Sequence, residues 1–298
     1  MLAPPPNGLF WLRCPHYTCP SWQFQPISAR LRSAVSQTPH TRLAPHPPLR
    51  EYYASEQDRH AWVLGLFNRT ACDYDRVERV MAFGTGSWYR RRALRDAGLR
   101  SGMTVFDVGV GTGLVAREAA LICGDPTRVM GVDPSPGMVE NAKVPSGVRL
   151  VSGSAESIPA ADAEADFLCM GYALRHVGDL SAAFCEFYRV LKPGGRLCLL
   201  EITRPQRQWS RILLKLYMRV MVPVAARLVA RHRDTPELMR YYWDTIEACA
   251  PPHVIQWALR AAGFVEVTRH VELGIFSEYR AIKPGAAACV SAAPAGAA

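Results

Sequence analysis

Short apolar runs alternate with longer stretches of helical periodicity through most of this chain. The runs predict seven strands, at 103–108, 128–132, 148–151, 167–171, 196–200, 265–271 and 276–282. Strands separated by helical stretches are typical of an α/β fold with a mostly parallel sheet covered by helices on both faces. The last two strands follow each other without a helix, so we predict that they form an antiparallel hairpin at one edge.

Both ends of the chain lack this pattern. Residues 1–50 hold ten prolines and five arginines but no Asp or Glu, and residues 285–298 are rich in Ala. We predict that both segments are disordered. The first resembles an organellar transit peptide, but a linker or an over-extended gene start is an equal alternative. Between them we predict a helical cap segment at 51–97 and the main α/β domain at 98–284.

Composition narrows the choice of class and compartment. The net charge is +9, but part of the excess lies in the first fifty residues, so we expect no nucleic-acid partner. Nine scattered cysteines suit reduced thiols in the cytoplasm. Only Cys14 and Cys19 are close together, and no second Cys or His pair has metal-ligand spacing, so we expect no metal. No run of eighteen uncharged apolar residues is present, which argues against a transmembrane span.

The strongest chemical signal is an apolar strand that ends in Gly-Val-Gly-Thr-Gly at 109–113 and leads into a helix predicted at 112–120. Glycine has no Cβ and tolerates positive φ, so such a turn lets the backbone approach a nucleoside-bearing ligand closely. The single residue before the third glycine favours S-adenosyl-L-methionine over NAD, whose fingerprint has two. A simple tight turn and a nicotinamide oxidoreductase are the alternatives. The predicted cofactor contacts in this segment are Asp107, Gly109, Gly111, Thr112 and Gly113.

Three neighbouring strand ends add to this site. Asp133 follows Gly113 by twenty residues, where a carboxylate can accept hydrogen bonds from both ribose hydroxyls. A helix N-cap is its alternative role and does not exclude the first. Ser154 and the Ala155 amide are candidate adenine contacts, unless they form a plain polar loop, and Gly171 ends the fourth strand. These features predict a Rossmann-like methyltransferase that uses S-adenosyl-L-methionine.

The chain resembles the UbiE-type C-methyltransferases, which methylate ubiquinone and menaquinone precursors. The resemblance covers about residues 65–283 and rests on segments 66–84, 171–177 and 188–205 together with the glycine loop, which methyltransferases share generally. The chain also departs from the family, which usually has Ala-Gly-Gly-Thr-Gly-Asp at the loop. It usually has Asn where Ser154 stands, Ser where Gly171 stands and Asn where His176 stands, so the acceptor is left open.

Methyl transfer from a sulfonium is an in-line displacement, so the protein mainly aligns the reactants and excludes water. If the acceptor is a phenol or hydroquinone, a base or a cation must favour loss of its hydroxyl proton. Arg175 is our candidate for the cation and His176 for the base, with a surface salt bridge and a structural histidine as the alternatives. Tyr74 matches a Tyr-Asp pair of the family and would act from a flexible segment over the pocket, or else pack as an ordinary tyrosine.

The segment 204–233 predicts an amphipathic helix. Its cations Arg211, Lys215 and Arg219 fall four residues apart, and its apolar residues are Trp209, Leu213, Leu216, Tyr217, Val220 and Met221. Such a helix could rest on anionic lipid or admit an isoprenoid tail, or it could cover the core with a solvated cationic face.

We therefore predict a cytoplasmic methyltransferase, with peripheral membrane contact as an alternative location. Its expected partner is a quinol or a related aromatic, prenylated small molecule. Transfer to oxygen or nitrogen of a specialised metabolite, and a non-catalytic cofactor-binding subunit, are the alternatives. The sequence leaves the oligomeric state undetermined.

Overall fold

A computed structural model of the protein describes residues 42–285. The predicted disorder of 1–41 and 286–298 concerns segments outside this range. The strands are β1 (Val105–Val108), β2 (Val129–Asp133), β3 (Arg149–Ser152), β4 (Ala165–Gly171), β5 (Leu191–Ile202), β6 (Val265–Glu272) and β7 (Phe276–Ile282). The helices are α1 (Glu56–Met81), α2 (Gly86–Asp96), α3 (Leu114–Cys123), α4 (Pro136–Glu140), α5 (Leu180–Val190), α6 (Gln208–Leu216), α7 (Val222–Val229), α8 (Thr235–Ala248) and α9 (Pro252–Ala261).

The seven strands form one sheet in the order β3-β2-β1-β4-β5-β7-β6. Strands β1 to β5 pair in parallel, whereas β7 pairs antiparallel with both β5 and β6. The predicted mostly parallel sheet and its edge hairpin are therefore confirmed. β5 extends beyond the predicted 196–200 at both ends because Leu191 pairs with Ala165 and Ile202 pairs with Phe276.

Helices cover both faces of the sheet, as the strand pattern predicts. Every residue of β1 is buried, and successive side chains point to opposite faces. Phe106 and Val108 belong to the core cluster that includes residues of α5 and α9. Val105 belongs to the cluster that includes residues of α2 and α3. The strand order reverses between β1 and β4, and in open α/β sheets a ligand crevice lies outside the carboxyl ends of such strands.

The glycine loop differs from prediction at its helical end. The helix α3 begins at Leu114, not at residue 112, because Gly113 has φ +86° and therefore lies in the left-handed region. A right-handed helix cannot pass through such a residue, so Gly113 is the N-cap. The helix then continues to Cys123, beyond the predicted end at 120.

Residues 42–50 are packed against the domain, contrary to the prediction of disorder up to residue 50. The backbone of Leu43 donates to Asp179 Oδ1 at 3.1 Å and accepts from Leu180 N at 2.9 Å. The Pro45 carbonyl accepts from Ala250 N at 2.7 Å. These contacts use backbone groups, which composition does not reveal.

The helices α1, α7 and α8 share a third buried cluster, which includes Leu66, Val222 and Trp243. The segment 204–233 exposes apolar as well as cationic side chains. Arg211 pairs with Glu247 at 2.5 Å and Arg219 pairs with Asp244 at 2.9 Å, so these cations contact α8 while their side chains stay 42% and 43% exposed. Outward apolar side chains of the segment are each at least half exposed: Trp209, Ile212, Leu213, Leu216, Val220, Met221, Val224 and Leu228.

Candidate active site

A cavity of about 190 Å³ lies at the carboxyl ends of the parallel strands. One wall consists of the glycine loop, Asp133 and residues 154–156. The other consists of α1 and the turn that follows β4. A second cavity, of about 30 Å³, borders the same loop and shares Tyr74, Gly109, Gly111, Gly171 and Tyr172 with the first.

Asp133 connects the tip of β2 to the glycine loop. Its Oδ2 accepts from Gly111 N at 2.8 Å, and its Oδ1 accepts from Ser135 N at 2.8 Å. The side chain lines the larger cavity, and each oxygen keeps a lone pair for a further donor. Burial raises the pKa of Asp133, and the two backbone donors oppose that shift. The structure therefore brings Asp133, the residue predicted to bind the ribose, into contact with the glycine loop.

The glycines of the site are of two kinds: Gly109 and Gly171 have no room for a side chain, whereas Gly111 faces open space. Gly111 has φ +53°, and a Cβ there would lie within 4 Å of no atom of residues 42–285 other than its chain neighbours, so the loop is open at this position. A Cβ on Gly109 would lie 2.6 Å from Ala173 Cβ, and one on Gly171 would lie 2.5 Å from Val115 Cγ2. At Gly111 a nucleoside can therefore approach the backbone directly, which fits the predicted cofactor.

Asp107 lies under the loop and Thr112 lies within it; neither lines the larger cavity, but Thr112 lines the smaller one. Asp107 is fully buried and accepts from Cys169 Sγ at 3.7 Å, while its Oδ2 has no partner within residues 42–285. Burial raises the pKa of Asp107 to about 7. The Thr112 hydroxyl donates to Asp75 at 2.5 Å, which ties the loop to α1. Both residues support the loop, and their contact with the cofactor stays a prediction.

Ser154 and Ala155 line the larger cavity beside Asp133, where the adenine contact is predicted. The backbone of Ser154 pairs with that of Ser157 at 3.2 Å in both directions, which holds this turn in place. The adjacent Glu156 was not singled out in the sequence. It also lines the cavity, and its Oε1 accepts from Gly178 N at 2.6 Å and from Asp179 N at 3.1 Å.

Asn68 is a second residue that the sequence reasoning missed. From α1, its Oδ1 accepts from Ser135 Oγ at 2.7 Å and from Gly137 N at 2.9 Å. A Cβ on Gly137 would lie 2.8 Å from the Asn68 backbone, so the two segments touch directly. The local sequence contains no signal for this role, because the two partners lie 67 and 69 residues further along the chain.

Arg175 lies beneath the cavity wall formed by the described residues and does not line the cavity. It is 1% exposed, forms an ion pair with the buried Glu201, and donates from Nε to Thr245 Oγ1 at 3.1 Å. Its guanidinium carbon lies 4.9 Å from the centroid of the Tyr242 ring, which does line the cavity. The alternative of a surface salt bridge is therefore wrong. Direct contact with an acceptor does not follow from this geometry, and a role through Tyr242 stays a prediction.

His176 lines the cavity within an aromatic group. Its ring stacks on Tyr241 and Tyr242 at centroid distances of 5.5 and 5.7 Å, and Phe67 meets it edge-on at 5.1 Å. Neither ring nitrogen has a hydrogen-bond partner among the described residues. Burial, followed by the charge of Arg175, holds the pKa of His176 well below its ordinary value, so the ring is neutral. Tyr74 lines both cavities, and burial raises its pKa, so its hydroxyl stays protonated.

A crevice at the strand reversal, an open glycine loop and a carboxylate at the neighbouring strand tip define the class of this site: that of an S-adenosyl-L-methionine-dependent methyltransferase of the Rossmann-like type. The fold is shared with such a methyltransferase from Thermotoga maritima, with 24% identity, a TM-score of 0.51, and coverage of 74% of this chain and 98% of that one. With a methyltransferase of this kind from Aquifex aeolicus the identity is 20% and the TM-score 0.50, and the match covers 70% of this chain and 97% of that one.

The chain belongs to the ubiE/COQ5 methyltransferase family, whose model matches residues 54–283. It is 31% identical to the ubiquinone/menaquinone biosynthesis C-methyltransferase UbiE of Shewanella halifaxensis, over 69% of this chain and 83% of that protein. It is 30% identical to the Shewanella oneidensis UbiE, over 72% of this chain and 88% of that protein. The protein is thus an enzyme, and its cofactor is S-adenosyl-L-methionine.

Two features are absent from residues 42–285: a metal-binding cluster and a membrane-spanning helix. No cluster of three or more His, Cys, Asp or Glu side chains is arranged there to hold a metal ion. None of the helices in this range combines the length and apolar character needed to cross a bilayer.

Proposed function

We propose that this enzyme transfers a methyl group to a ring carbon of a quinol or a related prenylated aromatic. Two observations support the proposal: the names of the Shewanella relatives and the lining of the cavity opposite the glycine loop. The second observation carries it. Phe67, Tyr74, Tyr242 and the neutral His176 form an aromatic slot that suits a flat ring.

The residues of the slot can prepare a phenolic acceptor. S-adenosyl-L-methionine, when bound, supplies an electrophilic methyl group on a sulfonium. The neutral imidazole of His176 can accept a hydrogen bond from the acceptor hydroxyl and orient it. As the hydroxyl proton leaves, the adjacent ring carbon forms the new C–C bond while the C–S bond breaks. The methylated ring carbon then loses its own proton and the oxygen regains one, so that one proton is released overall. Because the pKa of His176 is low, we assign it orientation of the hydroxyl group only, and the hydroxyl proton passes to solvent.

A permanent cation also borders the slot. Arg59 lines the cavity and donates from Nη2 to the carbonyls of Arg175 and Val177, both at 3.1 Å. Its charge would stabilise a developing phenolate, because Arg59 is only 3% exposed and is therefore poorly screened. The cationic role predicted for Arg175 thus passes to Arg59 in this proposal, with Arg175 as a positioning residue behind Tyr242. A cavity that holds a hydrogen-bond acceptor and a cation also argues against a non-catalytic cofactor-binding subunit.

The proposal extends to where the acceptor is met. A prenylated quinol dissolves in a membrane, and the outward apolar side chains of α6 and α7 form a surface that is costly to leave in water. Exposed arginines flank this surface at Arg204, Arg207 and Arg231. Apolar side chains with cations at the margin suit an anionic membrane surface, on which the helix would lie without spanning it.

The acceptor is tested by incubating the enzyme with S-adenosyl-L-methionine carrying a CD₃ group and short-chain prenylated quinols, then locating the label by NMR. We expect the label on a ring carbon, and only with the reduced quinol, because the quinone has no hydroxyl proton to lose. His176→Asn keeps an acceptor and should retain activity, whereas His176→Phe should abolish it. Label on oxygen or nitrogen would support the alternative transferase, and no transfer to any quinol would contradict the proposal.

The membrane contact is tested by co-sedimentation with vesicles of phosphatidylglycerol and phosphatidylcholine. Trp209→Ser should reduce binding, because Trp209 is 58% exposed within the apolar surface. Trp257→Ser is the matched control, since Trp257 is 64% exposed but lies on α9, elsewhere in the chain. Equal loss in both variants, or equal binding to vesicles without phosphatidylglycerol, would contradict this part of the proposal.

A further inference from the structure

Arg90, on α2, is a buried cation with unused donors. It is 3% exposed, and its Nη2 pairs with Glu78. Its Nε and Nη1 are also buried but have no hydrogen-bond partner among the described residues. Leaving donors of a charged group unpaired inside a protein is costly, so these two donors require a partner such as a water or a ligand.

The unused donors belong to the smaller cavity beside the glycine loop. Arg90 lines this cavity together with Gly111, Thr112 and Tyr172. The cavity measures about 30 Å³, which is room for two or three waters or for a carboxylate, but not for an aromatic ring. It adjoins the larger cavity at Gly109 and Gly111, so a ligand whose nucleoside lies at Asp133 can extend one end into it.

The charge of the small cavity selects an anion. The guanidinium repels the sulfonium and ammonium groups of the methyl donor, which leaves the α-carboxylate as the one group of the donor that it attracts. The helix α3 begins at the same place, with the side-chain-free Gly113 as its N-cap, and a helix N-terminus also favours negative charge. We infer that Arg90 binds the α-carboxylate of the methionine moiety of S-adenosyl-L-methionine, and that Glu78 positions it.

The neighbouring arginines of α2 do not share these properties. Arg91 pairs with Glu118 at 2.7 Å, and its side chain is 41% exposed. Arg92 is 46% exposed and lies near Asp96. The inference rests on the identity of the methyl donor and is independent of the identity of the acceptor.

Binding calorimetry with two ligands tests the inference. S-adenosylhomocysteine contains the carboxylate, whereas methylthioadenosine keeps the nucleoside but lacks the whole amino-acid end. Arg90→Met should weaken S-adenosylhomocysteine binding by about 30-fold or more, the range for a charge-assisted pair, and change methylthioadenosine binding by less than about threefold. Arg90→Lys should show a smaller loss, because it keeps the charge but not the forked geometry. Arg92→Met, which removes the same charge from the same helix, should change neither affinity.

Methylthioadenosine also reports whether the Arg90→Met protein is folded. If Arg90→Met lowers the affinity for both ligands equally while Arg90→Lys binds both with normal affinity, Arg90 has a structural role and the inference is overturned. Unchanged S-adenosylhomocysteine binding in Arg90→Met would also overturn it. A wild-type protein that binds neither ligand would instead refute the assignment of the cofactor site itself.

Discussion

The buried ion pair between Arg175 and Glu201 gives the sharpest test of how the site is supported. The two side chains are 1% and 0% exposed, so neither charge is screened by water. If Arg175 is replaced by Met, Glu201 keeps one donor, Ile202 N at 2.8 Å, while its Oε2 already has no partner within the described range. An uncompensated carboxylate would then remain in the core.

The expected size of the effect follows from that burial. Arg175→Met should lower the free energy of unfolding by about 3–5 kcal/mol, the range for breaking a buried pair. Glu201→Gln should cost a similar amount, because it leaves the guanidinium unpaired. The double variant should cost far less than the sum, about 0–2 kcal/mol, since no buried charge is left.

The pH dependence has a defined sign. Burial already raises the pKa of Glu201, and Arg175 is the main group that opposes this shift. Without Arg175 the carboxyl pKa rises further above its unfolded value, so the folded state binds the extra proton. The Arg175→Met protein should therefore be less destabilised at pH 5 than at pH 8.

These free energies are measured by urea unfolding followed by tryptophan fluorescence. Arg219→Met is the matched control, because its pair with Asp244 is 43% exposed on the arginine side and should contribute only about 0–1 kcal/mol. A cost below about 1 kcal/mol for Arg175→Met, or additive costs in the double variant, would refute the reasoning. Turnover of the double variant then separates roles: lost activity with normal cofactor affinity would assign Arg175 a catalytic effect through Tyr242.

Three further predictions concern the cavity wall. Because the pKa of His176 is held below its unfolded value, the free energy of unfolding should fall as the pH drops below about 6.5, by up to about 1.4 kcal/mol per pH unit. Urea unfolding at pH 7.5 and 5.5 measures this dependence, which His176→Gln should remove. Gly111→Val should weaken cofactor binding at least about tenfold by calorimetry, because its side chain would enter the open cavity from a left-handed residue. Asn68→Ala should lower stability by about 1–3 kcal/mol, because Ser135 Oγ and Gly137 N lose their acceptor; an unchanged unfolding midpoint would show that water replaces Asn68.

The central strands β1, β2 and β4 could be predicted from the sequence because each is a short, mostly apolar run. The glycine loop and Asp133 could be predicted because their chemistry depends on residues close together in the chain. Arg90 and Asn68 could not, since their importance comes from contacts that a local pattern does not contain. Asn68, for example, binds the backbone 69 residues away.

The segment 204–233 shows the same limit for orientation. Its period correctly separates cationic from apolar residues, but the period alone does not say which side faces the protein. Asp244 and Glu247 of α8 pair with Arg219 and Arg211, so the partly exposed cations lie beside α8 and the apolar side chains point away from it. Orientation was therefore decided by a partner helix that lies later in the chain.

Calorimetric titration of S-adenosyl-L-methionine into the wild-type protein and Asp133→Ala tests the central claim most directly, namely that Asp133 and the glycine loop bind the methyl donor. We expect one site per chain in the wild type. Asp133→Ala should bind about 100-fold more weakly, because two charge-assisted hydrogen bonds are lost. Asp125→Ala, which removes an exposed aspartate that accepts from Thr127 N at 2.9 Å, should bind normally. Wild-type affinity in Asp133→Ala would contradict the claim.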